Sequence, residues 1–288
     1  MRLGLIAAAL ALAWCGGAWA QTSITLDARA GNPIIEATIN GRPVRFEVDL
    51  RMANYLAVSN AAAERLRLRR VPFVAIRIGV DGSEATISGR IARPRIEFGG
   101  EDSRAFSGIF PAPVTRRADG VIGPGALPYD AITVTLGDEQ PGARDIVFAL
   151  EDADNWRGSA RVSGHDVDVL VNTGVEETVF NRTATRQFDA DGAIPANGEL
   201  ANINLILGLY TLMQPVTTSL TVEGLALTPA MARTNAPLLG ADEGADIIIV
   251  GNADPPPPSL ALGRAALSRC AYIRVDRRAR TMTLRCAV

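Results

Sequence analysis

The chain has 288 residues, 48% of them apolar and 21% charged, with a formal net charge of −2. That balance removes the electrostatic case for nucleic acid binding, and 5% aromatics leave little for stacking on bases or sugars. The length allows one large or two modest domains, and 27 glycines with 17 prolines suit many short strands and turns around an all-β core.

In chain order, the first segment reads as a secretory leader. Met1-Arg2 is a basic start, Leu3 to Trp14 is an apolar run, and Ala18-x-Ala20 precedes Gln21 as a small-residue cleavage site. The run is too short to span a bilayer comfortably. We therefore expect loss of residues 1–20, a periplasmic or secreted location, and no membrane span in what remains. Thr22–Leu26 and Pro33–Ile39 read as strands, with turns at Gly31-Asn32 and Asn40-Gly41-Arg42-Pro43. Asn40-Gly41 between alternating runs is a hairpin signal. A short helix starts near Asn60, capped by Ser59 or Asn60. Strands follow at Val74–Ile78, Glu84–Ile87 and Arg95–Phe98, separated by Asp81-Gly82 and Gly99-Gly100.

Residues 137–157 are polar, and strand character resumes at Ile146–Leu150, which puts a boundary near 150–158. Beyond it, Thr183–Phe188 takes the place of the helix. Asn202–Leu209, Thr217–Val222 and Asp246–Val250 read as strands, and Asp254-Pro255-Pro256-Pro257-Pro258 as a stiff surface loop. Cys270 and Cys286 flank a hairpin turning near Asp276–Arg280. In an oxidising compartment, cysteines at the ends of facing strands favour a disulfide. A single histidine, His165, and the lack of Cys-x-x-Cys argue against a metal site, and no cofactor is expected.

One stretch occurs twice. Apolar residues alternate through Val167, Val169 and Val171, Asn172-Thr173-Gly174 interrupts, and Val179-Phe180 resumes, which reads as strand, tight loop, strand. At an offset of 123 residues, Ala37, Gly41, Val44 and Val48 match Ala160, Gly164, Val167 and Val171. Asp49-Leu50-Arg51 then falls on Asn172-Thr173-Gly174. A repeat this long suggests a duplicated lobe rather than a solenoid.

A strand that ends in hydrophobic-Asp-Thr-Gly, followed about five residues on by another strand, resembles the aspartic proteases. In both halves an apolar-apolar-Gly segment follows 70–90 residues later: Val121-Ile122-Gly123 with Ala126-Leu127, and Ala261-Leu262-Gly263 with Ala266-Leu267. The resemblance covers nearly all of the chain after the leader. It implies two similar β-barrel lobes, residues 21–150 and 151–288, related by a pseudo-two-fold axis with a cleft between them. It also implies that Asp49 and Asn172 occupy the two catalytic positions. Leu50, Arg51, Thr173 and Gly174 would then line the substrate site. Val80 and Asp81, in the Gly79–Gly82 turn, would form a flap over it, although an ordinary hairpin fits that turn as well.

Neither triplet is complete, because Leu50-Arg51 replaces Thr-Gly in the first and Asn172 replaces Asp in the second. Aspartic proteases need two carboxylates sharing a proton, and an amide cannot exchange one. Arg51, if it folds inward, would favour ionised Asp49 and lower its pKa. The reading that follows is a monomer that no longer cleaves and that binds an extended peptide or protein partner or serves structurally. A hydrolase pairing Asp49 with another acid, such as Asp166, Asp168, Glu176 or Glu177, is one alternative. An unrelated all-β secreted binding domain is the other.

Overall fold

The computed structural model describes residues 22–79, 86–206, 209–234 and 256–288. Alternation of buried and exposed residues builds the opening strands β1 (Ser23–Asp27), β2 (Ile34–Ile39) and β3 (Arg42–Val48). Between β2 and β3, Asn40 (φ 53°) and Gly41 (φ 70°) both take positive φ. This is the two-residue turn whose twist matches the flanking strands. Ile35, Ala37, Ile39, Val44, Phe46 and Val48 all face the core. After β4 (Tyr55–Ser59), the Ser59 hydroxyl accepts the Ala62 N–H at 3.1 Å and starts α1 (Asn60–Arg65).

Strands β5 (Arg70–Gly79) and β6 (Thr86–Ala92) form an antiparallel pair. They are followed by β7 (Arg95–Phe98), β8 (Glu101–Arg104) and β9 (Phe106–Phe110). The short β10 (Gly120–Ile122) leads into a 3-10 turn at Pro124–Ala126, and β11 (Ala131–Thr135) and β12 (Arg144–Ala149) close the first half. Nine of these strands form one sheet in the order β5-β6-β9-β4-β10-β3-β2-β7-β8.

The second half opens with the hairpin β13 (Gly158–Val162) and β14 (His165–Val171), then β15 (Thr178–Phe180). Asn181 caps α2 (Arg182–Ala190) by accepting the Ala184 N–H at 2.8 Å. Next come β16 (Ala201–Ile206), β17 (Leu209–Val216), the small pair β18 (Thr221–Val222) and β19 (Leu225–Ala226), and β20 (Ala230–Arg233). After β21 (Ser259–Leu262) and α3 (Arg264–Leu267), the hairpin β22 (Cys270–Asp276) and β23 (Thr281–Cys286) follows. Seven strands form a second sheet, β13-β14-β21-β15-β20-β17-β16.

A third sheet joins the halves. Its order is β1-β11-β22-β23-β12, so the late hairpin lies between two strands of the first half. Arg277 reinforces the seam by donating to the carbonyls of Leu127 and Pro124, both at 2.7 Å. The main core runs continuously from Phe46 and Phe98 through Phe148 and Trp156 to Phe180 and Phe188. A smaller cluster of Ala57, Ile76, Ile78, Phe110, Val114 and Val121 lies under the β5–β6 hairpin.

The protein is therefore mostly β, as the composition implies, but no sheet closes into the expected barrel; among the described residues each sheet ends on open edges. Cys270 and Cys286 are joined, at directly paired positions of β22 and β23. The expected strands Asn202–Leu209 and Thr217–Val222 are redistributed. β16 and β17 pair with a register shift between Asn204 and Ile206, and β17 runs through Pro215 because β20 pairs with it. Thr218 then turns the chain, its hydroxyl accepting the Leu220 N–H at 3.1 Å. Among the described residues, no helix is long and apolar enough to cross a membrane. The leader, the Val80-Asp81 turn and the Asp246–Val250 strand lie outside the described residues.

Candidate functional site

Two turns stand on matching frames. In the first half, β10 lies between β3, to which it runs parallel, and β4, to which it runs antiparallel. The strands entering and leaving the Asp49 turn therefore both hydrogen-bond to β10. The Asp49 N–H donates to the Ile122 carbonyl at 3.0 Å, and the Gly123 N–H donates to the Tyr55 carbonyl at 2.8 Å. In the second half, β21 lies between β14 (parallel) and β15 (antiparallel), and the Asn172 N–H donates to the Leu262 carbonyl at 2.9 Å. The glycine after each central strand is forced by crowding. A Cβ on Gly123 would lie 1.8 Å from the Ala53 carbonyl oxygen, and one on Gly263 would lie 2.2 Å from that of Glu177.

In the first turn, Asp49 is 5% exposed and Leu50 is 2% exposed, the latter packed into the main core rather than lining a surface. Arg51 folds inward and clamps the carboxylate. Its Nε reaches Oδ1 at 2.9 Å, its Nη2 reaches Oδ2 at 2.6 Å, and its backbone N–H donates to Oδ1 at 3.0 Å. Burial pushes the Asp49 pKa up, but the Arg51 charge and its hydrogen bonds outweigh that and hold the carboxyl below its ordinary value. All three contacts favour the ionised form, two of them on Oδ1 and one on Oδ2.

In the second turn, Asn172 and Thr173 are both buried. The Asn172 Oδ1 accepts the Gly174 N–H at 3.1 Å, the same residue-to-residue-plus-two bond that Asp49 makes with Arg51. Thr173 reaches across to the other half, where its hydroxyl donates to the Asn32 Oδ1 at 2.7 Å. Asn32 Nδ2 donates in turn to Glu47 Oε1 at 3.1 Å, and Thr115 donates to the other Glu47 oxygen. Arg117 Nη1 donates to the Asn32 carbonyl at 3.0 Å and pairs with Glu47 at 3.4 Å. Glu47 lies on β3 two residues before Asp49, so this chain ties the Thr173 turn to the strand that carries Asp49.

Asn32, Glu47, Thr115 and Arg117 are not singled out by sequence reasoning. Asn32 sits after Gly31 and looks like any turn asparagine; its partnership with Thr173 spans 141 residues and has no local signature.

Three of the four acids near the second turn, Asp166, Asp168 and Glu176, are used elsewhere. Asp166 pairs with Arg161, Asp168 with Arg157 and Glu176 with Arg264, each at 3.1 Å. His165 contacts Asp191 at 2.6 Å at the far end of β14. No group of metal-ligating side chains occurs among the described residues. Val80 and Asp81 lie outside the described residues. Comparison with protein-family models finds none that matches the chain, and comparison with curated proteins finds no match.

Proposed function

We propose that the chain is an aspartic-protease-like protein without peptidase activity, one that holds an extended peptide or protein segment between two halves, 21–150 and 151–288, related by a pseudo-two-fold axis. The observation that carries this reading is the clamp on Asp49 together with the amide at Asn172. Peptide hydrolysis by paired carboxylates needs one ionised group to take a proton from water and one protonated group to donate to the carbonyl oxygen. Asp49 is engaged by a guanidinium, and Asn172 offers no exchangeable carboxyl proton. The joined Cys270 and Cys286 accord with an oxidising, periplasmic or secreted setting.

The test combines turnover with binding. The wild-type chain is expected to leave a mixed peptide pool intact between acid and neutral pH, and Asn172→Asp alone is expected to leave it intact too, because Arg51 still holds Asp49 ionised. Binding of extended peptides, read by fluorescence anisotropy, is expected in the wild type. Pepstatin-inhibited cleavage by the unmodified chain, abolished by Asp49→Ala, would overturn the inactive reading. A chain that neither cleaves nor binds any member of the pool would remove the peptide-holding role.

A further inference from the structure

The hairpin of β5 and β6 has a chemistry the two turns do not use. Residues 65–95 carry eight arginines against two carboxylates, Asp81 and Glu84, in a chain whose net charge is −2. Arg65 and Arg95 are paired with Asp119 and Asp102. Arg67, Arg69, Arg77 and Arg90 are exposed and make no ion pair among the described residues. Ile76 and Ile78 point into the smaller core, which puts Arg77 on the outer face. The register sets Arg77 opposite Ser88 and Ala75 opposite Arg90, so Arg77 and Arg90 are diagonal neighbours.

The same hairpin holds the main exposed apolar patch. Between Arg70 and Ala75 five steps of β5 face two of β6, so Val71 to Val74 leave the ladder. Phe73 is fully exposed, at φ 62°, with Val71 at 38% and Val74 at 40%. Arg70 pairs with Ala92, and Ala92 with Ser107, so the bulge lies at the same end of the hairpin as Phe106, 51% exposed beneath the Arg93 guanidinium at 4.7 Å. These four residues are the majority of the large apolar side chains exposed among the described residues.

β5 is an edge strand, but the bulge and Pro72, which has no N–H, disrupt the ladder that an added peptide strand would need. A protruding aromatic with aliphatic neighbours, on a hairpin whose exposed arginines make no ion pair among the described residues, instead fits an interface that is apolar below and anionic above. We propose that this face docks on an anionic phospholipid bilayer surface, with Phe73, Val71 and Val74 entering the headgroup boundary and Arg67, Arg69, Arg77 and Arg90 meeting lipid phosphates. The docking is peripheral and does not depend on what the two turns bind.

Phe73→Trp in the full chain reads the contact at the residue itself, with wild-type emission subtracted. On vesicles of phosphatidylcholine with about 30% phosphatidylglycerol, the added indole is expected to shift to the blue and to be quenched by brominated acyl chains, and to do neither on phosphatidylcholine alone. Adding Arg77→Gln and Arg90→Gln should weaken that partition about 25-fold, at roughly fivefold per arginine near an anionic surface. Raising the salt should weaken it further. No quenching on anionic vesicles, or equal quenching on neutral ones, overturns the proposal. A shift produced by a hexaglutamate peptide and not by vesicles overturns it in favour of an acidic peptide.

Discussion

The Asp49 turn and the Asn172 turn share a backbone and differ in chemistry. Both leave a strand that runs parallel to a short central strand, both donate their first N–H to that strand's last carbonyl, and both accept an N–H two residues on through a side-chain Oδ1. An aspartate and an asparagine serve this geometry equally well, because only an acceptor oxygen is needed. The remaining atoms diverge. The first turn turns inward on itself, with Arg51 neutralising Asp49 and Leu50 filling core. The second reaches outward, with Thr173 bonding to Asn32 of the other half. The turn geometry therefore does not require an acid, and an acid lost from such a turn leaves the fold in place while removing proton chemistry.

The sharpest test of the shared frame is steric. Gly123→Ala and Gly263→Ala each drive a Cβ into a backbone carbonyl of the turn beside it. Each is expected to lower stability by about 3 kcal/mol, read as a drop in urea midpoint. If one glycine tolerates alanine and the other does not, the two frames are not equivalent.

The difference in chemistry is tested by Arg51→Met, which strands a buried carboxylate and should destabilise by about 3 kcal/mol at neutral pH. The pH dependence has a definite sign. In the wild type the Asp49 pKa lies below its ordinary value, so the pair's contribution is complete above that ordinary value and disappears as the pH falls through the folded one. In Arg51→Met, burial acts with much less opposition and pushes the pKa up, so the variant loses stability as the pH rises. The gap between wild type and variant should therefore widen from pH 3 to pH 7, and a constant gap would mean that Asp49 is not held by the Arg51 charge. Thr173→Val gives a smaller effect, about 1–2 kcal/mol, because it leaves the Asn32 Oδ1 without its donor. Thr173→Ser should recover most of it, and failure to recover would assign the loss to packing.

Much of the local structure is legible in the sequence because it depends on near neighbours. Asn40-Gly41 marks its hairpin, Ser59 its helix, and the alternation in Val44-Arg45-Phe46-Glu47-Val48 a strand with one buried face. The repeated turn is legible for the same reason. Cys270 and Cys286 are legible because the two strands between them are adjacent in sequence and joined by a short turn. What stays hidden depends on distant partners. Asn202–Leu209 and Thr217–Val222 read as strands by their own β character, but the strand that runs from Leu209 to Val216 is set by its pairing with β20. Asn32 is given its role by Glu47 and Thr173, 15 and 141 residues away. Nothing in the residues of β22 and β23 says that they will lie between β11 and β12.

That insertion bears on how the protein is made. As the chain leaves the ribosome, β11 and β12 are both available long before residues 270–286, yet in the native sheet they are not neighbours, and each pairs with a strand of the later hairpin. Until then, β11 has only β1 beside it, and β12 has no partner in this sheet. Synthesis therefore passes through a long interval with unpaired strand edges on the nascent chain, the condition under which edge-to-edge association competes with folding. Completion of the first half waits on the second, and a chain interrupted before residue 270 would expose the β11 and β12 edges rather than release a finished lobe.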